Sequence, residues 1–501
     1  MSIVGNVRKT RKSVQRNLLL LFLIWLLELS GYEALEIIQS SLNQRHGVWS
    51  VTVLHCGKAL SSLFGPLVVK RLTPKWTLVT CWFILTLFIV ASVFPNYYTL
   101  LPAGALMGLA LGPIWVCQGV YVTCLAVYYS EVTGQSKSAV LSKFNGIAAS
   151  TIPVGVLVGN AVSSLVFTFS PFNDEANNRN VNKGDVISVQ DNSTAMTATV
   201  ADASLESTCG NNFCPMENQE NFEPLARPAF GTVVLFLSIL AAFNICGIGI
   251  TVFGLQNLPQ KDITPHAQNI ERTHQSGFSW VRKYVTTFFR WQHLALVPFI
   301  AYLWFVIAVT NSTYTRAYIA CSVGIENVGF IFMICGLSGG VATYASGFIG
   351  QWLHRNYHFV LAFFLFVAVY TVMLGWTWLE DSGANTTVLL LLVMILICVG
   401  AAINGLHFAG MYSVFHHLHS LSIHSYIFGF HSLTRRTCTT CTRYRVLCEM
   451  LTAFLGDAFT DTKTEVFSFY NFCDGICTAI GFALTNYICV RHQVWQISNN
   501  F

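Results

Sequence analysis

Four side chains set the chemical question in this chain: Glu28, Tyr32, His55 and Lys58. Glu28 stands within NLLLLFLIWLLELSGYEALEIIQSSL (17–42) and Lys58 within VTVLHCGKALSSLFGP (51–66), both apolar stretches of membrane-spanning length. A charge at the bilayer centre costs about 2.5–3.5 kcal/mol on insertion scales, so each must be answered. Counted inward from outer helix ends near 38 and 48, both residues lie about ten positions deep. At 1.5 Å per residue that is ~15 Å, the midplane of a ~30 Å hydrocarbon core. The two helices would run antiparallel, so a Glu28–Lys58 ion pair is expected. Tyr32 lies one turn from Glu28, and His55 lies about one turn from Lys58 at matching depth. Such a group would serve either as a proton or cation relay or as a structural pair that neutralises two costly charges. Breaking such a pair costs about 3–5 kcal/mol. The structural pair is the favoured reading.

Other polar groups inside apolar runs are Gln118 and Tyr121, His407 and Asp474. His407 and Asp474 would meet if their helices are neighbours. Glu33 and Glu36, nearer the outer interface, are expected to be hydrated. The stretch 416–450 holds five of the fourteen histidines together with Cys438, Cys441 and Cys448. It has neither a second CxxC nor a spaced histidine pair, so no metal site is expected. No P-loop, G-x-S-x-G, H-E-x-x-H or strand-following GxGxxG occurs. The expectation is therefore a non-enzyme without cofactor and without nucleic-acid binding.

The elements that carry these residues follow from composition. Of 501 residues 53% are hydrophobic and only 10% charged, against about 25% charged in a soluble domain. Apolar runs recur at 17–38, 48–69, 77–95, 99–127, 144–169, 229–255, 292–310, 326–350, 358–378, 388–413 and 466–490. The basic leader 1–16, containing VRKTRKSVQR, lacks a cleavage site and places the amino end in the cytosol. The even-numbered connections then fall inside, and they carry Lys70, Arg71, Lys75, Lys137, Lys143, Arg355, Arg435 and Arg436. All three N-x-[ST] sequons, at Asn192, Asn311 and Asn385, fall outside. Asn192, deep in the polar loop 170–228, is the expected glycosylation site; Asn311 and Asn385 abut helix ends and are expected to stay bare. The same loop holds Cys209 and Cys214 on an oxidising face. That spacing reads as a small-ring disulfide, with two free thiols as the alternative. Most of the other cysteines stand singly in apolar runs and behave as small hydrophobes. Glycines four apart (Gly104, Gly108 and Gly112; Gly155 and Gly159; Gly336 and Gly340) predict close helix packing in lipid.

The chain also looks doubled. Six helices (17–255) are followed by a connector (256–291) and a second set (292–490), ending in a tail (491–501). The loops Gly65-to-Lys75 and Gly347-to-Arg355 are both short, basic and glycine-led. This is the organisation of major facilitator transporters, two halves about a midplane cavity. The segments further resemble the Unc-ninety-three (uncoordinated) family, a divergent branch of that superfamily. The residues that carry the likeness are Gln39–Leu42, Ser61 and Ser62, Tyr98, Thr99, Leu100, Pro102, Gly108, Pro113, Trp115, Gln118, Tyr121 and Thr123. Gly159, Asn160 and Ser163–Phe167 add to it, as do the Cys209/Cys214 pair and the tract Tyr314-Thr315-Arg316, Tyr318, Cys321, Gly324, Ile325, Val328 and Gly329.

The resemblance implies a twelve-helix fold without enzymatic activity. It also implies two kinds of role, regulatory partner of a potassium channel or trafficking chaperone for Toll-like receptors; the fold and the intramembrane Glu28, Lys58 and Asp474 add a third, transporter of a small solute driven by protons. Channel regulation is the expectation, in the plasma membrane rather than an endosome or the endoplasmic reticulum. The first, fourth, seventh and tenth helices line the cavity in the superfamily, which makes Gln118, Tyr121 and His407 cavity candidates beside Asp474. Three departures stand out: the insertion 416–450, the eleventh-helix frame Phe469–Asp474 without the family's arginine, and an end at Phe501 without a twelfth helix. The expected fold is thus an all-α polytopic membrane bundle of about eleven transmembrane helices.

Overall fold

Each of the eleven apolar runs carries helix in the computed structural model. The structure describes residues 2–170, 209–214, 227–257, 297–349, 355–376, 379, 385–400, 463–487 and 490. His407, Asn192 and the stretch 416–450 lie outside the described residues. Among the described residues there is helix and no strand. The first half comprises α1 (Ser2–Leu42), α2 (Gln44–Leu72), α3 (Pro74–Ala91), α4 (Tyr97–Thr133), α5 (Lys137–Ala149), α6 (Thr151–Phe169) and α7 (Phe230–Gly254). The second comprises α8 (Val297–Val309), α9 (Glu326–Ile349), α10 (Arg355–Leu374), α11 (Thr386–Gly400) and α12 (Lys463–Leu484). Five described helices are long and apolar enough to cross a membrane. The protein is a multi-pass membrane bundle.

Local chemistry explains the interruptions. The predicted fifth run breaks at Ser150, where α5 gives way to α6, and Pro153 sits in the first turn that follows. A proline is tolerated there because its missing N–H would have no partner. In α4, Pro113 lies inside the helix. Beside it the Ser61 hydroxyl of α2 donates to Gly108 O at 3.0 Å and accepts from Gly112 N at 3.1 Å, so a neighbouring side chain bridges that turn. The seventh run does not stop at 310. It continues as a π-helix, Thr310–Ala320, and ends at Val323. Long π-helical stretches are rare and tend to mark functional sites. This one coincides with the tract TNSTYTRAYIA, whose eleven residues are all buried.

Buried side chains gather in two large cores and a small cluster of Val48, Val51, Ala308 and Phe482. Trp25, Trp82, Leu85, Phe88, Met107, Phe236 and Leu240 belong to the first half. Trp304, Tyr314, Tyr318, Phe332, Trp376 and Met394 belong to the second. Between them lies a seam where α2 meets α12, α6 meets α9, and α1 meets the π-helix. Small residues set the spacing. A Cβ on Gly104 would stand 2.6 Å from Ser50 O, and one on Gly112 2.6 Å from Ser61 O. Gly108 packs against Leu54 O and Gly159 against Ser30 O more closely still. The expectation of glycine-mediated packing holds at these positions and at Gly155 and Gly336. Gly340 is the exception, since a Cβ there meets nothing within 4 Å.

Candidate functional site

The midplane charges of this bundle do not pair as counting along the sequence predicts. Lys58 Nζ lies 2.5 Å from Asp474 Oδ2, across the seam from α2 to α12. Asp474 Oδ1 accepts from Thr478 Oγ1 at 3.4 Å, and the ammonium sits 4.6 Å from the centre of the Trp304 ring. Both charged side chains are almost fully buried. The close approach is made possible by Gly475: a Cβ there would be 2.7 Å from Ala59 N and 2.8 Å from His55 O.

Glu28 is elsewhere. It is wholly buried on the face of α1 turned to α7, where it accepts a hydrogen bond from Asn244 Nδ2. Asn244 Oδ1 in turn accepts from Thr86 Oγ1 at 2.6 Å. The expected Glu28–Lys58 pair is therefore replaced by two separate arrangements. The physical reason is azimuth. Depth counting placed both residues at one level, but Glu28 points into the first half and Lys58 points out of it.

The flanking residues regroup accordingly. His55 Nε2 lies 3.6 Å from Glu36 Oε1, and its ring stacks on Phe482 at 5.7 Å between centres. Tyr32 acts on the same carboxylate rather than on Glu28. Glu36 and Glu33 are 2% and 5% exposed, so the expectation of hydration fails for both. They are near the helix end, but the neighbouring helices cover them. The acid–base contacts among the described residues are thus Lys58–Asp474, which crosses the seam, and His55–Glu36, which joins α2 to α1 beside it.

Above this level α1 binds the π-helix. Ser40 Oγ donates to Asn311 O at 3.1 Å and lies 2.9 Å from Thr315 Oγ1. Arg316 Nη2 donates to Thr485 O at 3.0 Å, and its guanidinium stacks on Phe213 at 5.3 Å. Phe213 comes from the connection between α6 and α7. Its segment, Cys209 to Cys214, packs on the second half: Asn211 Nδ2 donates to Leu374 O at 2.8 Å, and Val490 N donates to Phe213 O at 3.0 Å. Cys209 is joined to Cys321, not to Cys214, and Cys214 is itself disulfide-bonded. The small-ring reading fails because this segment reaches across to the end of the π-helical rod. A further disulfide, Cys335–Cys398, joins α9 to α11, although both cysteines read as single residues in apolar runs.

The cavity candidates are enclosed. Gln118 is 3% exposed, and its amide has no hydrogen-bond partner among the described residues. Tyr121 OH reaches Gln256 O at 3.4 Å just past the carboxyl end of α7, where Asn17 Nδ2 and Lys75 Nζ also donate to the chain. Asn311 is buried in the π-helix, whereas Asn385 is exposed and its side chain accepts from Val388 N at the start of α11. No group of three metal-ligating side chains occurs among the described residues. Sequence reasoning missed Glu36, Asn244, Trp304 and Arg316 as members of these contacts. Asn244 carried a usable signal, as an amide inside an otherwise apolar helix.

Comparison with known proteins places the chain. A family model described as "Ion channel regulatory protein UNC-93" matches residues 39–377. Protein unc-93 homolog A of Bos taurus is 26% identical over 371 residues, 72% of this chain and 73% of the bovine protein. The putative potassium channel regulatory protein unc-93 of Caenorhabditis elegans is 26% identical over 345 residues, 68% of this chain and 45% of the worm protein. Among solved structures the nucleoside transporter NupG, in mutant form, superposes with a TM-score of 0.53 at 12% identity, covering 97% of this chain and 99% of that one. That likeness shows the fold alone, a major-facilitator bundle.

Proposed function

The chain belongs to the UNC-93 family, and from that premise we propose that it is a non-enzymatic regulatory partner of an ion channel, of the potassium-selective class, in the plasma membrane. The observation that carries the reading is the family match over residues 39–377. It takes in the Ser40 contacts with the π-helix and the buried tract around Arg316. The worm relative bears the name of a potassium channel regulator. A fold shared with transporters does not by itself imply transport. Nothing in the contacts described requires a chemical step.

The midplane pair favours a second reading. Lys58 and Asp474 lie between the two halves, where proton-linked transporters of small solutes place exchangeable charges. The two readings separate in one set of measurements. Co-expression with potassium channel subunits should shift the current and allow co-purification from membranes. Reconstituted vesicles should show no pH-driven solute flux. Flux that disappears in the Lys58→Met/Asp474→Asn double variant while expression is intact would establish transport instead. A protein that neither alters a channel nor is recovered with one refutes the regulatory reading.

A further inference from the structure

We propose that Arg316 anchors a buried anion-binding site at the outer end of the seam, one that takes a small monovalent anion such as chloride or the carboxylate of a small solute. The inference does not depend on the regulatory role above. A guanidinium stays charged under all physiological conditions. Buried charges are compensated by a counter-charge, because an isolated one is strongly disfavoured in a low-dielectric interior. Arg316 is 4% exposed, yet neither of the acid–base contacts among the described residues includes it. Its partners are the Thr485 carbonyl and the Phe213 ring. A carbonyl satisfies one of five N–H groups, and a ring face supplies only a partial negative potential. Arg316 Nε has no acceptor.

The contrast with the other cation on the seam is direct. Lys58 has a carboxylate at 2.5 Å. Arg316 has none among the described residues, and three other buried polar groups, on the π-helix itself, on α1 and just past the end of α12, have no hydrogen-bond partner. Ser312 Oγ, four residues earlier on the π-helix, has no hydrogen-bond partner. Neither has Asn486 Nδ2, adjacent to the Thr485 carbonyl that Arg316 holds. Nor has Ser41 Oγ, next to the Ser40 that bonds Thr315. All three residues are at least nine-tenths buried. They come from α1, the π-helix and the end of α12, and therefore from both halves. A guanidinium, an amide N–H and two hydroxyls are donors, the set that a small anion accepts from.

The position suits a ligand from the outer side. Ser41 is one residue from the end of α1, and Asn486 is two beyond the end of α12. The segment Cys209 to Cys214, fastened by the Cys209–Cys321 disulfide, brings Phe213 over the guanidinium. An anion held there would join the two halves at their outer ends, while Lys58–Asp474 joins them at the midplane.

The test is thermal unfolding of the purified full-length protein at constant ionic strength, with gluconate replaced by chloride, or by formate as a small carboxylate. Chloride or formate should raise the unfolding temperature saturably, and the more effective of the two identifies the source of the anion. Arg316→Gln should abolish the dependence, and in gluconate it should be at least as stable as the wild type because the unanswered charge is gone. If Arg316→Gln does not fold, Asn486→Leu decides: losing one hydrogen bond to an anion should raise the half-saturating concentration by about tenfold. Equal unfolding temperatures in all three salts, or an unchanged anion response in either folded variant, overturns the proposal.

Discussion

The Lys58 ammonium of α2 and the Asp474 carboxylate of α12 stand 2.5 Å apart, although 416 positions separate them in the chain. The pair joins the two halves at mid-depth, directly beside the close approach that Gly475 permits. Removing either partner leaves an uncompensated buried charge. Lys58→Met and Asp474→Asn are each expected to cost about 3–5 kcal/mol, and the double variant to cost much less than the sum. Thermal unfolding of the four proteins in detergent measures the coupling. Additive losses would mean that the contact does not persist in solution.

Glu28 predicts the opposite behaviour. It has no cation beside it and one amide donor, Asn244. Glu28→Gln keeps the shape and a hydrogen-bonding oxygen, so its cost should stay within about 1 kcal/mol. Gly247→Ala, which would press a methyl group against the Glu28 carboxyl, should cost about 1–3 kcal/mol by overpacking. Comparable losses from the two changes would place the role of Glu28 in its charge.

Two glycines of one sequence pattern should separate cleanly. Gly108 packs against the Leu54 carbonyl and Gly57, so Gly108→Ala forces α2 and α4 apart. The expected loss is about 1–3 kcal/mol or more. Gly340→Ala meets no atom within 4 Å and should leave the unfolding temperature unchanged or slightly raised. Equal effects at the two sites would refute this account of the α2–α4 packing.

Peptide mapping without reduction should recover a cross-linked peptide containing Cys209 and Cys321. Cys209→Ser should leave the segment that carries Phe213 held covalently through Cys214 alone and speed its cleavage in limited proteolysis, because the connection loses one of its two disulfide fastenings. Recovery of a Cys209–Cys214 ring instead would detach that segment from the second half.

Much of the fold was legible because lipid imposes so simple a rule. Spanning helices must satisfy their own backbone, so long apolar runs separated by basic connections read directly as a bundle. Close packing at Gly104, Gly108, Gly112 and Gly159 was legible for the same kind of reason: without a hydrophobic drive between helices, small residues mark the contacts. The candidate site was legible in its members but not in its pairings. Lys58, His55, Tyr32 and Asp474 were all identified from polarity inside apolar runs. Their partners required the rotation of each helix about its axis, which residue counting along a helix does not provide.

By itself the sequence determined an all-helical membrane protein and a small set of polar groups that the bilayer cannot leave unanswered. Tertiary structure alone decided which group answers which. Glu28 turns to Asn244 within one half, while Lys58 crosses to Asp474 in the other. Cys209 reaches Cys321 rather than its neighbour in the loop. Arg316 is buried with the Thr485 carbonyl and the Phe213 ring as its partners. The physical reason is common to all four. Burial in lipid is a property of composition along the chain, whereas charge compensation depends on the distances between helices that are remote in sequence.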